Sequence, residues 1–211
     1  MANLTSRRWL RPAGFVVAVI AILAILRPWT VRPLHTAPAA AFDAHAYVDQ
    51  AWQRLLDEAS RTAVDVAEAR RLAAQPPPPG APGRRSLFVK ATGGVTAIDR
   101  RSRVGLARVR IGDRPGDEIG VQIGPVVRGT ALRDAATFIR FNDFANQFEF
   151  AAVSNALHER SMRDVVTRLD PDSAVGQRIT VIGATTLQAG APADAPLDLV
   201  PVDIRVQGGH R

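Results

Sequence analysis

The spacing of apolar residues changes along this 211-residue chain, and each change marks an element. Residues 1–12 are polar and basic. Ala13 to Leu26 then form an uninterrupted apolar run that Arg27 ends. Between Phe42 and Ala74 the residues Tyr47, Ala51, Trp52, Leu55, Ala59, Ala63 and Val64 recur at steps of three and four, with acids and arginines between them. That spacing predicts one amphipathic helix over 42–74, with Asp43 as its N-cap. The stretch Gln75 to Gly83 holds Pro76, Pro77, Pro78, Pro79 and Pro82, which cannot continue a helix, so residues 75–86 read as an extended linker.

From Leu87 the pattern is that of strands. Segments 87–90, 94–99, 104–111, 118–123 and 126–132 are separated by Gly93-Gly94, Gly112-Asp113, Pro115-Gly116 and Gly124-Pro125. Residues 144–169 read as a helix with a stripe of Phe144, Phe148, Ala152 and Ala156, followed by Met162, Val165, Val166 and Leu169, and stopped by Asp170-Pro171-Asp172. Two more strands follow. Arg178 to Ile182 ends at Gly183, and Leu197 to Val206 alternates at Val200, Val202, Ile204 and Val206. Pro201 inside that run marks an edge or a bulge, because proline donates no ladder hydrogen bond. The expected fold is α+β: an N-terminal membrane anchor and amphipathic helix, then a small, partly open OB-like barrel over 87–206 with one inserted helix, and a tail at 207–211.

The 14-residue apolar run is shorter than the roughly 20 residues that span a bilayer as a helix. Trp9-Leu10 on one side and Pro28 to Leu34 on the other can extend it, with Trp9 and Trp29 at the two interfaces. Arg7, Arg8 and Arg11 then hold the N-terminus in the cytoplasm and leave the rest of the chain on the periplasmic or outer side. A cleaved signal segment and a buried core helix are the alternative readings; the small residues Ala37 to Ala41 lie some distance past the run for a cleavage site.

Charge follows the same division. The net charge is +7, but residues 1–36 contain Arg7, Arg8, Arg11, Arg27 and Arg32 and no acid. Subtracting those five from 27 basic residues leaves 22 against 20 acidic ones, so the remainder is nearly balanced and carries no nucleic-acid footprint. Cysteine is absent, which removes disulfides, thiolate metal sites and thiol nucleophiles. His35, His45, His158 and His210 show no metal-ligand spacing, and neither a nucleophile elbow nor a phosphate loop occurs. No catalytic residue, metal or cofactor is assigned.

Residues 124–150, GPVVRGTALRDAATFIRFNDFANQFEF, interleave polar and aromatic side chains. Two readings stay open. In one, arginines pair with Asp134, Asp143 or Glu149, Asn142 and Asn146 cap backbone ends, and the phenylalanines are core. In the other, Arg128, Thr130, Arg133, Asp134, Phe141, Asn142, Asn146 and Gln147 converge on a sugar-like or carboxylate ligand, since guanidinium and amide groups offer planar, paired hydrogen bonds.

Three stretches together carry a family resemblance: Phe42 to Val48 with Trp52, Gly124 to Asp134, and Phe141 to Gln147. They resemble the DUF2291 family of bacterial periplasmic lipoproteins over about residues 40–206. The resemblance implies an envelope location. Because many members are encoded beside sugar ABC-transporter genes, it also implies an accessory role in carbohydrate uptake, with the inner membrane and transporter components as partners. Many members carry a lipidated cysteine and this sequence has none, so the apolar run must serve as the anchor. The expected function is therefore that of an anchored, non-enzymatic accessory or binding domain. The alternatives are an envelope carbohydrate-active enzyme using a carboxylate in 134–149, and an assembly partner that packs through the 42–74 helix.

Overall fold

In a computed structural model, residues 42–77, 79–80, 82–113, 116–192 and 194–207 are described. The apolar run 13–26 lies outside them. Among the described residues no helix is long and apolar enough to cross a membrane.

Helix α1 spans Ala44–Thr62. Asp43 caps it, its carboxylate accepting from the backbone N–H of His45 at 2.9 Å and Ala46 at 3.1 Å. Val48, Trp52, Leu55 and Ala59 face the core at helical spacing. The single helix expected over 42–74 is in fact two. Ala63 is extended, Val64–Asp65 form a two-residue strand β1, and a second helix α2 runs Val66–Ala74, capped by Asp65, whose carboxylate accepts from Glu68 N–H at 2.7 Å. The break has a cause outside the local sequence. β1 pairs in parallel with Val89 and Lys90 of the following strand, satisfying backbone groups that would otherwise stand open at a sheet edge.

That strand, β2, runs Arg84–Asp99. The two strands expected at 87–90 and 94–99 are thus one, and Gly93-Gly94 is a bend rather than a break. β2 pairs antiparallel with β5 (Arg178–Gln188) over Arg84–Gly94 and with β3 (Leu106–Arg110) over Gly94–Asp99. At the crossing the backbones nearly touch: a Cβ on Gly93 would lie 2.1 Å from the Arg110 carbonyl oxygen. β3 pairs antiparallel with β4 (Glu118–Gln122). β4 pairs in parallel with β6 (Asp198–Gln207) through only Gly120↔Asp198 and Val121↔Leu199, and β6 pairs antiparallel with β5. The order β2-β3-β4-β6-β5, with β5 returning to β2, is a closed circuit of pairings.

The strand expected at 126–132 does not form. Gly124 N–H donates to the Val104 carbonyl, Val126 N–H to the Arg103 carbonyl, and Gly129 takes φ +85°, so this stretch is a folded loop. It leads into the short helix α3, Ala131–Ala135, with Ala131, Leu132 and Ala135 buried. The helix expected at 144–169 is α4, Gln147–Asp164, followed by a 3-10 turn at Val166–Arg168. Its buried face is Val153, Ala156, Leu157 and Ser161, whereas Phe148 is 75% exposed, so the Phe144–Phe148 stripe is not the core face. Strand β5 continues through Gly183 instead of ending there, because Gly183 lets β6 approach: a Cβ would meet the Val200 carbonyl oxygen at 2.8 Å. The register slips at that point, opposite Pro201, where the bulge was expected.

Helix α1 and strands β2 to β6 bury their side chains in one core that includes Leu55, Val89, Val109, Val121, Leu157, Ile179, Leu199 and Ile204. The chain from Phe42 onward forms one compact unit.

Candidate functional site

Strand periodicity puts Glu118, Gly120 and Gln122 on one face of β4, with Ile119 and Val121 on the other. The register extends that face: Gly120 sits opposite Asp198 of β6. Helix α2 and the loop between β5 and β6 cover it, tied together by Gly190 and Ala191 N–H donating to the Ala73 carbonyl at 2.7 and 3.2 Å. The result is a cavity of about 260 Å³. It is lined by Arg70 and Ala73 of α2, Arg84, Gln122, Arg128-Gly129, Thr185 and Gln188 of β5, and by Ala191, Pro192 and Ala195 to Asp198.

Each polar group there has a definite state. Gln122 is 5% exposed; its Oε1 accepts the Arg128 backbone N–H at 2.8 Å, which fixes the amide and leaves its nitrogen with no protein hydrogen bond among the described residues. Asp198 Oδ1 is buried without a partner. It presses on Gly120, where a Cβ would come within 2.3 Å of it, so only glycine leaves room for the carboxylate. Arg70 donates through Nη2 to the carbonyls of Gly116 at 2.6 Å and Glu118 at 3.2 Å, lies 3.6 Å from Asp117, and keeps a buried, unpartnered Nε. The guanidinium groups of Arg84 and Arg128 stand exposed with no partner among the described residues. Thr185 is buried to 4% exposure. The cavity thus offers two free cations at its rim, with an amide donor and a carboxylate acceptor at its floor. Leaving a buried group such as Asp198 Oδ1 unpaired is costly, of order 1–3 kcal/mol, unless something else binds it.

Of the residues singled out in 124–150, only Arg128 lines this cavity. Thr130, Arg133 and Asp134 form a separate cluster. Arg133 Nε and Nη2 both donate to Asp134 Oδ1, at 2.8 and 2.7 Å, and Thr130 Oγ1 donates to Asp134 Oδ2 at 2.5 Å. The Arg133 guanidinium lies 3.8 Å over the Phe150 ring and Nη1 donates to the Phe150 carbonyl at 3.3 Å, so the cluster joins α3 to α4. Asn146 caps α4, its Oδ1 accepting from Phe148 and Glu149 N–H at 2.9 and 3.0 Å. Gln147 is the first, exposed residue of that helix, Asn142 is exposed in a 3-10 turn, and Phe141 packs edge-on against Phe150 at 5.4 Å. His158, read from sequence as a surface residue, is half-buried on α4 with Nε2 unpartnered. Burial, aided by the Arg133 charge, holds its pKa down at about 4.

Arg70, Arg84, Gln122 and Asp198 escape a sequence reading because they come from four separate elements. One signal exists: Gln122 and Asp198 are polar residues in strands, on the face where alternation expects solvent, and they are hidden only by a remote helix and loop.

The comparisons agree with this architecture. No curated protein matches the chain. The crystal structure of an OB-fold protein from Thermotoga maritima MSB8 superposes with a TM-score of 0.60 at 18% identity, covering 79% of this chain and 99% of that one, which shows the OB fold. The family model described as predicted periplasmic lipoprotein (DUF2291) matches residues 16–205, and the chain belongs to that family.

Proposed function

We propose that this protein is an extracytoplasmic accessory binding domain, tethered to the inner membrane by the run 13–26, that holds a small hydroxyl-bearing anion in the cavity between α2, β4 and the β5–β6 loop. A sugar acid or sugar phosphate has the matching chemistry. Arg84 and Arg128 would take the anionic group in charge-assisted pairs, while the Gln122 amide, the Asp198 carboxylate and Thr185 exchange hydrogen bonds with hydroxyls. The observation that carries this reading is Asp198 Oδ1, buried without a partner in a cavity that Gln122, Arg84 and Arg128 also line. The cavity volume is close to the lower end of small-molecule sites, roughly 300 Å³. A role beside a sugar-uptake system fits such a ligand. The proposed mode is binding without turnover: Asp134, Asp143 and Glu149 each already accept from a neighbouring donor in a structural role. The five-strand circuit is a barrel left partly open at its two-pair β4–β6 seam.

Thermal unfolding against neutral sugars, sugar acids and sugar phosphates tests the proposal. A ligand at 100 times its Kd adds about 2.7 kcal/mol, a rise of roughly 5–10 °C for a domain this size. Arg128→Ala should abolish the rise while the unliganded melt stays near that of the parent; Gln122→Leu should abolish it too, from a lowered unliganded melt, because the Arg128 N–H loses its acceptor. A ligand-induced rise that survives both substitutions would put the site elsewhere, and no rise with any ligand would refute the binding role.

A further inference from the structure

Two side chains that line the same cavity each bury a polar atom without a protein partner, and the two atoms are opposite in kind. Asp198 Oδ1 is an acceptor and Arg70 Nε is a donor. The groups around them are already committed. Gly120 sits opposite Asp198 in the sheet register, but its N–H donates to the Leu197 carbonyl at 2.9 Å. Arg70 spends Nη2 on the Gly116 and Glu118 carbonyls, and its acidic neighbour at 3.6 Å is Asp117, not Asp198. The missing side chain at 120 keeps the carboxylate in place: a Cβ there would lie 2.3 Å from Oδ1 and 3.3 Å from Leu106 Cδ2. An unmatched buried acceptor and donor cost folding free energy that a bound group can return.

A hydroxyl answers both atoms. It donates its proton to a carboxylate, and its lone pairs accept from an N–H. A ligand carboxylate or a sulfate oxygen accepts only. Placed against Asp198, such an oxygen meets a second acceptor of like charge, away from bulk water, where the repulsion is least screened. The rim has the opposite bias. Arg84 and Arg128 are exposed cations that attract anions of every kind. With the rim alone, the cavity would fill with whichever small anion is most abundant. Specificity is a difference between affinities, and a site rejects a ligand that leaves its buried polar group unpaired.

We propose that Asp198 is the specificity-determining residue of this cavity: with Arg70 Nε it reads a hydroxyl on the ligand and turns away anions that carry none. The inference rests on the binding role above and names the anions that role excludes. Calorimetric titration of the full chain tests it, with glucuronate and glucose 6-phosphate set against cyclohexanecarboxylate and sulfate, which bring the charge without a hydroxyl. The parent should bind at least one of the two sugar anions roughly tenfold or more tightly than either hydroxyl-free anion. Asp198→Asn keeps the size and offers an amide N–H, so cyclohexanecarboxylate and sulfate should bind it several-fold more tightly than they bind the parent. The sugar anion should bind it more weakly. Asp198→Ser, smaller and also uncharged, gives a second reading of the same change. A structural role cannot produce that pattern, because a damaged fold weakens every ligand. A parent ratio near one overturns the inference whatever the variants do, and leaves anion binding standing. Affinities that all move together in the variants also overturn it. A parent that binds none of the four probes overturns the binding role and this inference together.

Discussion

At the residue scale, His158 links stability to acidity. Its folded pKa of about 4 lies below the ordinary histidine value of 6.5, so the neutral imidazole is the form the fold accepts. Above about pH 6.5 the folded and unfolded chains are both neutral there and no penalty applies. As the pH falls from 6.5 towards 4, the unfolded chain takes up the proton first, and stability drops by up to roughly 3 kcal/mol. His158→Gln should flatten the melting temperature across that window, as seen in melts at stepped pH. Gly93 is the complementary steric case. Gly93→Ala places a methyl 2.1 Å from the Arg110 carbonyl, and the cost should reach several kcal/mol in chemical denaturation, against the roughly 1 kcal/mol or less expected of an ordinary surface substitution. Residue identity was legible where one chain segment carries the whole explanation, as at Asp43, where the capping side chain lies two or three residues from its donors. It was not legible at Asp198, whose environment is assembled from Gly120, α2 and a loop.

At the element scale, helix α4 depends on its first turn. Asn146→Ala removes the acceptor for two backbone N–H groups and should cost about 1 kcal/mol, with Asn146→Asp close to neutral; urea midpoints of the three proteins check this. Elements with regular apolar spacing and a local stop signal were readable: β3, β4 and β6 fall within a few residues of their predicted limits. Those that were not readable answer to tertiary partners. The 42–74 helix breaks at Ala63 although neither glycine nor proline stands there, because Val64 and Asp65 have a sheet edge to join. Residues 126–132 have strand-like composition, but Gly129 in the left-handed region and the bonds to Arg103 and Val104 turn them into a loop.

At the scale of the whole molecule, the pairings are unequal. β2 and β5 share eleven paired positions, whereas β4 and β6 share two. Native-state hydrogen exchange should therefore open the β4–β6 seam at lower free energy than the β2–β5 ladder. Because Asp198 and Gly120 meet at that seam, a cavity ligand should slow exchange there most.

Continuous β2 also governs how the molecule can come into being. Its partners on β5 lie 84 to 104 positions later in the sequence, so the longest ladder is also among the most distant contacts, a topology that folds slowly because a large loop must close first. No stable ring can assemble until the final third of the chain is present. For a member of a family described as periplasmic, that order of events would suit export: a polypeptide that has not yet locked would be handed across, and closure would wait for the far side.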